Sequence, residues 1–71
     1  MPLLTFDTTH HALWAEQLAH ENALAAEPTP APPEAGAQCD IALEYLAEEE
    51  QALTTLLEGA GVAFRIWRRG P

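Results

Sequence analysis

Two short segments of the chain carry the residue types that could support chemistry. Cys39, the lone cysteine, stands just before the best strand candidate, and Thr8-Thr9-His10-His11 opens an amphipathic helix far upstream. Unpaired N–H groups at a helix start carry partial positive charge, which favours the thiolate form of a nearby cysteine. A thiolate can take up a terminal sulfur or selenium atom, giving Cys–S–S⁻ or Cys–S–Se⁻. The residues therefore indicate a reactive thiol, provided that the fold brings the two segments together.

The elements that must position these residues can be read from hydrophobic periodicity and turn residues. Alternating or short apolar runs predict strands, and apolar residues at helical spacing predict helices. The predicted strands cover residues 3–6, 24–29, 40–45 and 62–67, and the predicted helices cover residues 9–22 and 47–59. The order βαββαβ predicts a ferredoxin-like plait, an α+β fold in which two helices cover one face of a four-stranded antiparallel sheet. We expect one domain over residues 1–71.

The buried face of each element follows from the same periods. The first helix should begin among Asp7, Thr8 and Thr9, whose side chains can accept a backbone N–H. Its predicted buried stripe is Ala12, Leu13, Ala15, Leu18, Ala19 and Asn22, with Trp14 either flanking the core or exposed. The second helix should bury Leu53, Leu56, Leu57 and Ala60, with Glu48–Glu50 in its first turn and Gly59 or Gly61 at its end.

The strands are predicted in the same way. Alternation places Ile41, Leu43 and Tyr45 on one face of the third strand, and it directs Val62, Phe64 and Ile66 of the fourth towards the core. Arg65 and Trp67 share the opposite face. Pro28 and Pro30 remove ladder donors, which confines the second strand to a sheet edge. The proline-rich residues 30–36 then form a hairpin loop that turns at Gly36.

This topology makes a specific prediction about the thiol. In the plait the first strand lies beside the third and antiparallel to it, so the end of one meets the start of the other. The first helix begins directly after the first strand, and Cys39 directly precedes the third. We therefore expect Cys39 to be at least partly exposed and close to the Thr8–His11 turn.

Composition excludes several classes of function. The chain has 71 residues and a net charge of −8, which repels phosphate backbones and argues against nucleic-acid binding. One cysteine cannot form an internal disulfide and suits a reducing compartment. Neither a signal peptide nor a bilayer-spanning apolar run is evident, so we expect a cytoplasmic protein without a membrane partner. Hydrolase-type residue pairs and glycine-rich phosphate loops are also lacking, and we expect neither an enzyme nor a bound cofactor.

The quoted residues carry a family resemblance. Phe6, Thr9, His10 and Ala12 match a Phe-x-x-Thr-His-x-Ala pattern, and Cys39 precedes an Ile-Ala-Leu strand. With these motifs nearly the whole chain resembles a small bacterial family described as Putative Se/S carrier protein-like. The resemblance implies a carrier that relays sulfur or selenium between donor and acceptor proteins.

In that role Cys39 would be the carrier thiol, and Thr9 and His10 would stabilise the anion. Two positions depart from the family pattern, because Asp40 and Ala23 stand where the family tends to have glycine. Asp40 places a negative charge beside the thiol, which opposes the effect of the helix start.

Three alternatives remain open from the residues alone. A lone cysteine is often a small buried hydrophobe. Cys39 with His10 and His11 could bind zinc or copper, but adjacent histidines on a helix diverge by about 100°, so we expect no tightly held metal. The chain could also be an interaction module whose face includes Trp14, Trp67 and Arg65.

A weak homodimer through residues 62–69 is also predicted, and it would use the last strand and the arginines Arg65, Arg68 and Arg69.

Overall fold

The computed structural model describes residues 2–36 and 39–68 and shows four strands and two α-helices in βαββαβ order. The strands are β1 (Leu3–Thr5), β2 (Ala26–Pro30), β3 (Ile41–Tyr45) and β4 (Arg65–Trp67). The helices are α1 (Thr9–Glu21) and α2 (Glu50–Ala60), and single 3₁₀ turns cover Pro33–Ala35 and Ala47–Glu49.

The four strands form one antiparallel sheet in the order β2-β3-β1-β4. Leu4 in β1 lies opposite Leu43 of β3 on one side and Ile66 of β4 on the other. Because β1 is beside β3 and the two helices pack in one core with the sheet, the fold is the predicted ferredoxin-like plait.

The core lies between the sheet and the helices. Its largest fully buried side chains are Tyr45, Phe6, Leu4, Leu43, Leu53 and Leu57. They come from β1 and the residue that follows it, from β3 and from α2. Helix α1 contributes only small residues at fully buried positions, Ala12, Ala15 and Ala19. Burial of these apolar side chains is the main force that holds the elements together.

Helix α1 begins where the sequence predicts. Thr8 has extended backbone angles, and its Oγ1 accepts the His11 N–H at 3.1 Å, so it is the N-cap. The predicted buried stripe is wrong at Leu13, which is 52% exposed. Leu13 lies about 100° around the helix from the buried Ala12, which turns it past the edge of the core. The stripe is also wrong at Asn22, an exposed C-cap whose amide donates to the Leu18 carbonyl.

The residue after the α1 C-cap, Ala23, adopts φ 59, in the left-handed region. An L-residue there loses about 1–2 kcal/mol relative to its preferred backbone, a cost that glycine avoids. The family resemblance implies glycine at this position. The positive φ of Ala23 is a backbone conformation that would suit glycine.

Helix α2 starts later than its predicted bounds of 47–59. The 3₁₀ turn at Ala47–Glu49 precedes it, and the α-helical pattern begins at Glu50. Gly61 ends the helix at φ 80, as the glycine prediction allowed. Leu53 and Leu57 are buried, while Leu56 is half-buried.

The outer strands differ most from their predicted bounds. β2 is shifted to Ala26–Pro30 but is an edge strand, as its prolines predicted. β4 is shorter than predicted, and the expected burial of Ile66 is wrong because Ile66 is 41% exposed. Ile66 does lie opposite Leu4 on the helix-facing side of the sheet. The edge position of β4 leaves it beyond the cover of the helices.

Three side chains join the end of β3, the start of α2 and the end of the described chain. The Tyr45 hydroxyl donates to Glu50 Oε1 at 2.7 Å, and Arg68 Nη2 donates to both Glu50 oxygens at 2.7 and 2.8 Å. Burial, followed by the hydrogen bond to Glu50, raises the pKa of Tyr45 well above its usual range. The bonds from Tyr45 and Arg68 lower the pKa of Glu50.

Candidate functional site

Cys39 is part of the core rather than the surface. It is 4% exposed and belongs to the same buried cluster as Phe6 and Ala12. The prediction of a partly exposed thiol is therefore wrong. The cause is the position of Cys39 beside the β1–α1 connection, where the small sulfur-bearing side chain fills space between the sheet and the start of α1.

Two hydrogen-bonding groups contact the sulfur. Thr9 Oγ1 lies 3.5 Å from Cys39 Sγ, and the Ile41 backbone N–H donates to Sγ at 3.4 Å. The pairing of Thr5 with Ala42 explains the first contact, because it places the end of β1 next to the start of β3. The predicted approach of the helix start to the cysteine is thus present in the structure.

Thr8 and Thr9 have different roles at the start of α1. Thr8 Oγ1 is used as the N-cap acceptor for His11 N–H, at 3.1 Å. Thr9 is the first residue of α1, and its hydroxyl is the one that reaches the sulfur. Capping of the helix and contact with the thiol are therefore separable by substitution.

The two histidines of this segment lie in different surroundings. The exposed His10 ring lies 6.0 Å from the His11 ring and 6.1 Å from the Trp14 ring, between centroids. Among residues 2–36 and 39–68, the structure shows no hydrogen bond between His10 and Cys39. The expected stabilisation of the Cys39 anion by His10 is therefore not supported by a direct hydrogen bond and stays a prediction.

His11 is the polar residue that sequence reasoning undervalued. Its side chain is half-buried, and its Nδ1 atom is buried without a hydrogen-bond partner in the described part of the chain. The Ile41 N–H was also missed as a sulfur contact, since a backbone donor leaves no signal in the residue types. The Thr-Thr-His-His segment did carry a signal for both histidines, but the sequence could not separate a buried ring from an exposed one.

The charges around the thiol are mixed. The first turn of α1 contains no acidic residue, so the partial positive charge of its N–H groups is not offset there. Asp7, just before the N-cap, pairs with Arg65 at 3.1 Å, across an exposed surface. Asp40, next to Cys39, is also exposed, where water and salt screen its charge.

Two of the three arginines assigned to the predicted homodimer surface form ion pairs within the chain. Arg65 pairs with Asp7 and Arg68 with Glu50. Arg69 lies outside the described residues. Arg68 therefore contacts an acidic residue of its own chain.

The metal alternative can be compared with the ligand geometry. Within the described ranges, one group of three His, Cys, Asp or Glu side chains has ligand atoms close enough to share an ion, and it does not include Cys39. The structure thus lends no geometric support to a site built from Cys39, His10 and His11.

Helices α1 and α2, the α-helices of the described ranges, lack the length and apolarity needed to span a membrane.

The fold and the site define a small ferredoxin-like domain with one thiol held between a helix start and a strand start. The family model described as Putative Se/S carrier protein-like matches residues 1–68 of the 71-residue chain. The chain belongs to this family. Searches of the curated proteins and of the solved structures gave no match.

Proposed function

We propose that the protein relays sulfur or selenium between proteins, with Cys39 as the carrier thiol. The observation that carries this proposal is the placement of Sγ, which has two hydrogen-bonding groups within 3.5 Å at the start of α1. Membership of the carrier-like family supports the same role. A lone thiol is sufficient for a relay, because each transfer forms one bond to sulfur and breaks another.

The loading step is a thiol exchange. Cys39 first gives up its proton, and its thiolate attacks the terminal sulfur of a donor persulfide, R–S–SH. The new bond gives Cys39–S–SH, and the donor leaves as R–S⁻. Sulfur oxidation states balance without an added oxidant or reductant. A donor R–S–SeH would load selenium by the same exchange.

The unloading step reverses the roles. An acceptor thiolate or other nucleophile attacks the terminal atom, and Cys39 Sγ leaves as a thiolate. Sγ thus carries negative charge before attack in the loading step and again as the leaving group in the unloading step. Thr9 Oγ1 and the Ile41 N–H are placed to stabilise that charge, since hydrogen bonds to an ionised group are stronger than those to a neutral one.

Burial of the thiol adds a second requirement. At 4% exposure, Cys39 cannot meet a donor protein without movement of the segment that carries it. One of the bonds that hold this segment is the Ala31 N–H to the Asp40 carbonyl, at 2.8 Å. Opening on contact with a partner would expose the thiol for exchange, and closure would protect it from small oxidants.

In this role the protein acts as a carrier, without enzyme activity or a cofactor, in a reducing compartment such as the cytoplasm. Its partners are the sulfur or selenium donor and the acceptor, and neither nucleic acid nor a membrane takes part.

A weak homodimer through β4 remains part of the proposal, because β4 is an edge strand of the sheet. Light scattering over a concentration series tests it, and a constant monomer mass would exclude it.

Intact mass spectrometry tests the relay. The protein is incubated with a cysteine desulfurase and cysteine, then analysed without reductant. We expect a gain of one sulfur atom that reductant removes. The matched variant Cys39→Ser replaces the sulfur with oxygen in a slightly smaller side chain of the same shape and should gain none. A protein that stays unloaded while the desulfurase loads a known acceptor in the same tube would refute the proposal.

A further inference from the structure

We propose that Glu16, His20 and Glu27 form a binding site for a divalent cation of the zinc type, separate from the thiol site. One ligand atom from each side chain lies within 4.8 Å of the other two. Glu16 and His20 are four residues apart on α1, so they share one face of the helix. Glu27 belongs to the edge strand β2, which packs against that helix.

The side chain of His20 is oriented by a backbone contact. Its Nε2 lies 2.8 Å from the carbonyl oxygen of Ala26, the residue before Glu27. A carbonyl oxygen only accepts, so Nε2 carries the proton, and Nδ1 of the neutral ring keeps its lone pair. Metal-binding histidines commonly donate their second ring nitrogen to a backbone carbonyl in this way, which fixes the tautomer.

The charge around the cluster favours a cation. Glu16 and Glu27 have no ion-pair partner among the described residues, where the ion pairs are Arg65–Asp7 and Arg68–Glu50. The chain contains no lysine and has a net charge of −8. Two carboxylates that lie close together without a counter-charge repel each other, and a divalent ion between them would remove that repulsion.

The ligand types select the kind of ion. Two carboxylate oxygens and one imidazole nitrogen suit Zn²⁺, which binds such atoms at about 2.0–2.2 Å, with water completing the shell. Mg²⁺ and Ca²⁺ prefer all-oxygen sites and should bind more weakly. Ligand atoms around a tetrahedral ion lie roughly 3.4 Å apart. Side-chain rotations that move the ligand atoms by about 1 Å would therefore bring them to binding distance from the ion.

Calorimetric titration with Zn²⁺ alone tests the site. The protein used is Cys39→Ser, which removes zinc binding by the thiol. We expect one saturable site per chain and about tenfold or greater loss of affinity in Glu16→Gln and in Glu27→Gln. Both substitutions preserve the His20–Ala26 hydrogen bond, so they should fold normally. Glu21→Gln, on the same helix but outside the cluster, is the matched control and should bind as the parent does.

Thermal unfolding gives an independent readout. An ion held by both α1 and β2 binds the folded protein in preference to the unfolded chain, so Zn²⁺ should raise the Tm of the Cys39→Ser protein. The rise should disappear in Glu27→Gln and persist in Glu21→Gln. Absence of saturable binding at millimolar Zn²⁺, or binding in Glu27→Gln as tight as in the parent, would overturn the proposal.

Discussion

The Thr9 hydroxyl lies 3.5 Å from Cys39 Sγ although 30 positions separate the two residues along the chain. The contact exists because β1 pairs with β3 and α1 follows β1 after a short connection. Any change that separates these strands would therefore remove the sulfur from its hydrogen-bonding groups. The functional proposal therefore depends on the pairing of β1 with β3.

Thr9→Val should slow sulfur loading without unfolding the protein. Valine has nearly the shape of threonine but cannot donate to the Sγ thiolate, which must form before Cys39 attacks the donor. The loss of one hydrogen bond of about 1 kcal/mol lowers the thiolate population by about fivefold. Because the remaining thiolate is more nucleophilic, the rate should fall by about two- to threefold. The rate is measured as the gain of one sulfur atom by intact mass over time, at a fixed desulfurase concentration.

Two controls sharpen that experiment. Thr55→Val makes the same chemical change on the exposed surface of α2 and should leave the loading rate unchanged. His10→Ala should change it less than Thr9→Val does, because His10 makes no described hydrogen bond to the sulfur. A Thr9→Val rate equal to that of the parent would show that this hydroxyl does not stabilise the anion.

The Cys39 thiol should react slowly with an alkylating agent under native conditions. Burial limits the reaction to molecules in which the segment around Cys39 has opened. Urea below the unfolding midpoint should therefore accelerate alkylation, measured by mass at timed intervals. A rate in buffer equal to that of the fully unfolded protein would contradict the buried placement.

Ala23→Gly should stabilise the protein. Ala23 has φ 59, and glycine removes the cost of the left-handed backbone there, about 1 kcal/mol. The measurement is the free energy of unfolding in urea. Ala25→Gly is the matched control, since Ala25 is exposed and lacks a positive φ, and it should stabilise nothing. Equal effects of the two substitutions would show that the backbone of Ala23 is not strained.

The stability of the protein should fall as the pH rises above about 10, the usual pKa of tyrosine. The folded state raises the pKa of Tyr45, so the neutral phenol contributes stability that is complete below the unfolded pKa and is lost above it. The chain has one tyrosine and no lysine, so in a Cys39→Ser background this residue dominates the alkaline range.

Tyr45→Phe tests this dependence. It should cost about 1–2 kcal/mol at neutral pH, because the bond to the Glu50 carboxylate is lost. It should also flatten the pH dependence between about 9 and 12, measured as unfolding free energy in urea. A slope in Tyr45→Phe equal to that of the parent would assign the dependence to another group.

The architecture was predictable because the sequence encodes it locally. The third strand follows from alternation at Ile41, Leu43 and Tyr45, the start of α1 from the cap at Thr8, and the end of α2 from Gly61. The rules of βαβ connection then leave few ways to join the elements. The edge position of β2 followed from Pro28. These signals also sufficed to bring Thr9 towards Cys39.

The failures concern burial, which depends on packing between distant elements. Periodicity places Ile66 on the helix-facing side but does not say whether a helix reaches over an edge strand. Nor does it say that the sulfur of Cys39 turns inward or that Ile41 donates its N–H to it. Helical spacing predicts Leu13 in the buried stripe of α1, but the buried residues of that helix are the alanines Ala12, Ala15 and Ala19.

The most direct test of the central claim locates the transferred atom. The protein is loaded by a desulfurase from cysteine carrying isotopically labelled sulfur, trapped by alkylation without reductant, digested and mapped by mass spectrometry. The account predicts labelled sulfur as a persulfide on the Cys39 peptide, which then passes to an added thiol acceptor and leaves unlabelled Cys39. Labelled sulfur on no peptide, or a Cys39 adduct that no acceptor can remove, would contradict a carrier role.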